Sequence, residues 1–163
     1  MTPKNKHTVN HSDVSDTSAL NSLLRGEMSA RETYDQAIEK LRDAKRPDLV
    51  NTLTRIRTDH AKAVDTLRLH VTTHGGTPSE GSGAWGTFAN AVEGAAKMLG
   101  PQTALAALKQ GEQQGLNDYE RTMQSEDVAA DCKTLIRSEL MPQTQEHIGA
   151  LDRLMADLEQ GGK

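Results

Sequence analysis

Gly26-Glu27-Met28-Ser29-Ala30-Arg31-Glu32-Thr33-Tyr34 is echoed by Gly111-Glu112-Gln113-Gln114-Gly115-Leu116-Asn117-Asp118-Tyr119. These stretches hold the chain's only two Gly-Glu pairs, and each glutamate precedes one of its only two tyrosines by seven residues. A second phrase follows each copy. Asp59-His60-Ala61-Lys62-Ala63-Val64-Asp65-Thr66-Leu67 and Glu146-His147-Ile148-Gly149-Ala150-Leu151-Asp152-Arg153-Leu154 share the pattern acid-His-x-x-Ala-x-Asp-x-Leu. The interval from Glu27 to His60 is 33 residues and that from Glu112 to His147 is 35. The pattern reads as an internal repeat of two helical hairpins, which together build one four-helix bundle with two glutamates and two histidines inside.

Composition agrees with an all-α fold. At 163 residues the chain is one domain long enough to bury a core without disulfides or structural metal. Only 2% of residues are aromatic, while Ala, Leu, Glu, Gln, Arg and Lys abound, which favours helix over a β-sandwich or barrel. A net charge of −4 without a basic stripe argues against nucleic acid and against an anionic membrane surface. Cys132 is the single cysteine, so no intramolecular disulfide forms. The absence of a leader-like apolar run after Met1, and of any membrane-spanning run, places the expected location in the cytoplasm. A homodimer is compatible with the sequence.

Residues 1–15 are polar and read as a flexible tail, with His7 and His11 solvated; residues 16–160 are the expected bundle. The first helix is expected from Asp16 or Thr17 to Asp43 or Ala44. Its inward stripe runs through Leu20, Leu23, Glu27, Ala30, Tyr34, Ala37 and Leu41, with Glu32 and Glu39 off it in solvent. The second starts near Asp48, after Pro47, and ends at Gly75-Gly76. Its core face is Leu49, Leu53, Ile56, His60, Ala63, Leu67 and His70 or Val71, and His70 and His74 at its end meet free carbonyls and the negative dipole end.

A long crossover follows, rich in Gly, Ser and Pro, with a short helix over Trp85 to Leu99; it is long enough to make the second and third helices parallel. The third helix opens at Pro101 and carries Leu105, Leu108, Glu112, Gly115 and Tyr119 inward. Ser125 is the expected cap of the fourth, whose face is Ile136, Leu140, Gln143, His147, Ala150, Leu154 and Leu158. Pro142 lacks the amide that would bond to the Ser138 carbonyl, which predicts a kink one turn before His147. Cys132 falls off that face.

Two buried glutamates need cations, a shared proton or hydrogen-bond donors, since an unpaired buried carboxylate costs several kcal/mol. Imidazoles from the other two helices are natural companions. Carboxylate oxygen with imidazole nitrogen also suits iron, manganese or zinc, and bundle cores hold such ions between facing helices.

The order of these motifs resembles the ferritin-like superfamily, including rubrerythrins and bacterioferritins, over Leu20 to Leu158. With Gly75-Gly76-Thr77-Pro78 and the Gly-rich stretch before Trp85-Gly86, it is most similar to an uncharacterised bacterial ferritin-like domain family. The resemblance implies an antiparallel four-helix bundle with Glu27, His60, Glu112 and His147 as metal ligands, iron or manganese as the ion, and an oxidase or peroxide-linked stress role. Tyr34, Tyr119, Gln143, Arg57, Asp59 and Glu146 are the residues expected around them. The chain departs from the di-iron pattern, which takes Glu-x-x-His from each histidine-bearing helix: the positions three before His60 and His147 are Arg57 and Thr144. Asp59 and Glu146 point about 100° around the helix from their own histidines, and Arg57 offers a positive charge to a glutamate.

Three readings follow. The bundle binds a metal ion, or it is a metal-free bundle whose polar core is self-satisfied and whose surface meets a partner, or a Glu-His pair acts as acid and base in another enzyme. No catalytic residue is assigned.

Overall fold

In the computed structural model the described residues are 11–83 and 100–161, with side chains from Thr17 onward. The expected short helix over 85–99 and residues 1–10 of the expected tail over 1–15 lie outside them, whereas residues 11–15 of that tail are helical. Among the described residues there is no strand. Helix α1 spans His11–Leu41, starting ahead of the expected Asp16, and a 3-10 turn over Arg42–Ala44 follows it. Lys45 adopts φ 54°, the left-handed turn conformation, before Pro47 opens α2 (Pro47–Thr73) as its first residue.

The stripe read on the second helix is buried from Leu49 to Leu67, and its last place goes to buried Val71 rather than to half-buried His70. Each fully buried leucine there, Leu49, Leu53 and Leu67, contributes roughly 1.5–3 kcal/mol by leaving water. Gly75, at φ 79°, then lets Gly76 N–H reach back to the Val71 carbonyl at 2.9 Å, a stop that an L side chain would strain. Beyond it the chain turns along α1. Asn21 Nδ2 donates to the Thr77 carbonyl, Arg25 to Ser79, and Ser82 Oγ to Glu32 Oε2, so Glu32 is a bonded partner of the crossover rather than a solvated charge.

Helix α3 spans Pro101–Gln124 behind Gly100, with Leu105, Leu108, Glu112, Leu116 and Tyr119 buried. Ser125 does not cap the next helix. It ends α3, and α4 (Ala130–Leu135) begins only after a turn that tucks Val128 into the core. The Ser-Glu-Asp signal is local, whereas burying Val128 is a tertiary gain, and the tertiary term prevails.

A π-helical stretch, Ile136–Leu140, joins α4 to α5 (Met141–Gly161), and Met141 N–H bonds to the Ile136 carbonyl five residues back. The disturbance expected from Pro142 therefore takes the form of a π turn, which widens the helix where proline offers no N–H.

Cross-helix bonds fix the directions. Glu27 meets Tyr119 while Tyr34 meets Glu112, so α1 and α3 are antiparallel. Arg57 meets Asp35 and His60 meets Glu27, so α1 and α2 are antiparallel and α2 runs parallel to α3. Lys109 meets Asp152 and Gln102 meets Glu159, which sets α3 against α5. Short links thus give two antiparallel hairpins, and the long crossover joins them. Two apolar clusters fill the bundle, one around Leu24, Leu67 and Ile136 and one around Leu53, Leu105 and Leu151, with a polar layer between them.

Candidate functional site

The polar layer is built by the repeated phrase. Seven residues are two helical turns, about 10.5 Å along the axis. On antiparallel helices the tyrosine of one copy therefore comes level with the glutamate of the other. Tyr34 Oη donates to Glu112 Oε1 at 2.6 Å, and Tyr119 Oη donates to Glu27 Oε1. The second phrase supplies the histidines. His60 lies between the carboxylates, with Nδ1 2.7 Å from Glu27 Oε2 and Nε2 2.9 Å from Glu112 Oε1. His147 Nδ1 is 3.3 Å from Glu112 Oε2, and its Nε2 is 3.3 Å from Asp59 Oδ2. The two imidazole centroids are 5.1 Å apart.

All four sequence-predicted ligands are buried, His147 to 1% exposure and Glu112 to 4%. Three of them converge: one atom each of His60, Glu112 and His147 lies within 4.8 Å of the others. Glu27 stands on the far side of the His60 ring, against Nδ1.

Burial alone would depress His60, but Glu112 and Glu27 outweigh it and hold its pKa up to about 10, which makes the ring an imidazolium donating to both carboxylates. Burial would raise Glu112; His60 and His147 reverse that and hold it far below the usual carboxylate range. Tyr34 and Tyr119 are pushed well up, by burial first and then by the carboxylate each one faces, so both phenols stay protonated donors.

The surrounding residues divide. Asp59 reaches the layer after all, because it serves the histidine of α5 across the bundle rather than its own neighbour on α2. Glu146 does not; it pairs with exposed Arg55. Arg57 gives its charge to Asp35 through two bonds of 2.8 and 3.1 Å, in solvent, and to neither glutamate. Gln143 is half-buried, and Thr144 takes the inward place, its hydroxyl donating to the Leu140 carbonyl.

Sequence reasoning passed over a cavity of about 320 Å³ between α1 and α3 that reaches Glu27, Tyr34, His60, Glu112, Tyr119 and Thr144. Gly26, Ala30, Gly111 and Gly115 lie on its wall. A Cβ at Gly26 or Gly115 would meet nothing within 4 Å, so these glycines leave space rather than permit tight packing. The signal was present in the repeat, which aligns Gly26 with Gly111 and Ala30 with Gly115.

Two antiparallel hairpins with a parallel second and third helix and carboxylate–imidazole pairs at mid-bundle make up a ferritin-like fold. The chain belongs to the family described as a domain of unknown function, DUF2383, which matches residues 15–125. Its fold is similar to that of a ferritin-like, diiron-carboxylate protein from Bacillus anthracis str. Ames, with a TM-score of 0.70 and 21% identity, over 90% of this chain and 99% of that one. No curated protein matches the sequence.

A di-iron cluster of the Glu-x-x-His kind does not fit these residues. It needs two further carboxylates, and their positions hold Arg57, tied to Asp35, and Thr144, tied to its own helix. The donor set fits a single ion: three converging protein ligands, as in sites that keep a further position open. Among the described residues no helix is long and apolar enough to cross a membrane.

Proposed function

We propose that the protein binds one divalent ion of the iron class at mid-bundle, through His60 Nε2, Glu112 and His147 Nδ1. The carrying observation is what lies behind each histidine: Glu27 is 2.7 Å from His60 Nδ1, and Asp59 is 3.3 Å from His147 Nε2. A metal-bound imidazole characteristically donates its other N–H to a carboxylate, which fixes the tautomer and raises its basicity. On this reading Glu27 is not a ligand but holds His60 from behind, as Asp59 holds His147. Tyr34 orients Glu112, and Tyr119 orients Glu27.

Mixed nitrogen and oxygen donors suit iron, manganese or zinc, and the Bacillus anthracis protein, described as diiron-carboxylate, favours iron. The bound ion would supply Lewis-acid or one-electron chemistry. The cavity gives a small molecule such as dioxygen or peroxide a path to the tyrosine–glutamate side of the layer, which supports a peroxide-linked stress role.

One observation favours a second reading, a metal-free bundle that acts through its surface: an imidazolium between two carboxylates, each also held by a tyrosine, is already satisfied. Metal analysis separates the two. Protein from cells grown with iron or manganese should carry an ion that Glu112→Ala and His147→Ala remove without loss of helicity. Wild-type protein that stays metal-free under loading would leave the metal-free reading. Consumption of Fe(II) and peroxide no faster than in buffer would remove the oxidase role.

A further inference from the structure

A second cluster of donors lies at the end of the bundle, away from the polar layer. His70 and His74 sit four residues apart on the last turn of α2, a spacing that puts two imidazoles on one helix face. Asp131 and Cys132 come from the first turn of α4 in the other repeat. Cys132 is not an idle residue off the bundle face, as its helical position suggested. It is fully buried, with Sγ 3.4 Å from His74 Nε2 and 3.7 Å from His70 Nδ1. Asp131 Oδ2 is 2.9 Å from His74 Nε2 and 3.8 Å from His70 Nδ1. One donor atom from each of the four lies within 4.8 Å of the others.

We propose that His70, His74, Asp131 and Cys132 form a second metal site that takes one zinc-class divalent ion. Four ligands at zinc distances, near 2.0–2.1 Å for nitrogen and oxygen and 2.3 Å for sulfur, form a tetrahedron with edges of about 3.3–3.6 Å. The four contacts here, 2.9 to 3.8 Å, bracket those edges. The chemistry agrees with the geometry. A thiolate with two imidazoles selects borderline-soft ions such as zinc over the harder ions suited to a carboxylate site. The negative end of the α2 dipole adds an attraction for a cation. Both histidine side chains are about one-fifth exposed and Asp131 is 55% exposed, so the ion has an entry path while the thiol stays shielded.

The consequence is structural. The ion would tie the end of α2, in the first hairpin, to the start of α4, in the second, adding metal bonds to the imidazole–carboxylate and imidazole–thiol contacts already there. Binding to the folded chain alone stabilises it by mass action, so zinc should raise the thermal midpoint and a chelator should return it.

The single cysteine makes the test specific. The full chain, reduced and stripped by chelator, is titrated with Co(II) alone. A near-ultraviolet thiolate-to-Co(II) charge-transfer band should rise to saturation at one equivalent for this site and be displaced by Zn(II). It should vanish in Cys132→Ser, a near-isosteric change, and in His70→Ala with His74→Ala, each checked for native helicity. No band in saturated wild-type protein, or a band unaltered by loss of both histidines, would overturn the site. Neither result depends on whether the mid-bundle layer holds an ion, because that layer contains no sulfur.

Discussion

The layer at mid-bundle and the cluster at its end are both made of histidine and acid drawn from the two repeats, yet they differ in what surrounds them. At mid-bundle the donors are buried, and each histidine has a carboxylate at either nitrogen. At the end the two histidines and Asp131 are partly exposed, and a buried thiol replaces one of the carboxylates. The difference teaches that burial has to be matched by partners. The inner layer survives without solvent because two tyrosines and two outer acids complete it, while in the end cluster water reaches the histidines and Asp131 and takes the place of such a shell.

Removing Glu112 should break the inner layer most severely. Glu112→Ala strips Tyr34, His60 and His147 of their shared acceptor and leaves buried hydrogen-bonding groups unpaired, so unfolding in urea should show a loss of about 3–5 kcal/mol. Cys132→Ser, by contrast, should leave the metal content of the inner layer intact.

Glu27→Gln sharpens the roles within the layer. It keeps all three converging ligands and weakens only the support behind His60, so metal affinity should fall about 10–100-fold rather than disappear, and Asp59→Asn should do the same through His147. Abolished binding in Glu27→Gln would instead make Glu27 a direct ligand, as the sequence alone suggested.

Proton linkage distinguishes the layer in the absence of metal. His60 is raised in the folded state to about 10 from its ordinary 6.5, so its contribution to stability is complete below pH 6.5 and is lost as the pH climbs towards 10. Glu112 is depressed from its ordinary 4.5, so its contribution is present above that value and is lost on acidification. Denaturation midpoints measured across pH should therefore fall on both sides of neutrality. With metal the sign is simple: the ion displaces the His60 proton, so affinity should rise by about tenfold per pH unit through neutrality, and a flat profile would count against His60 as a ligand.

The smallest effect belongs to the cavity wall. Gly115→Ala places a methyl group in open space within a helix, so calorimetry should show a gain of about 0.5–1 kcal/mol. A loss there would mean that the space is filled in solution.

Much of this was legible in the sequence because the repeat states it twice. The core face of α2 and the inward places of Glu27, His60, Glu112 and His147 follow from helical period alone, and the Glu-to-Tyr interval encodes the reciprocal bonds. What escaped is tertiary. Asp59 looked misplaced because a helical wheel compares it with its own helix, whereas its partner is on α5. Cys132 and His74 are separated by 58 residues, and no local pattern joins them. The start of α4 was misread because burial of Val128 overrides the capping signal at Ser125.

The central claim is that the mid-bundle layer holds one ion on His60, Glu112 and His147 and not a pair. Anaerobic titration with Fe(II) of the chain carrying His70→Ala, His74→Ala and Cys132→Ser, which removes three of the four donors of the end cluster, tests it most directly. One Fe(II) per chain, lost in Glu112→Gln and kept in Arg57→Ala, is the expected result; two per chain, or none, would contradict it.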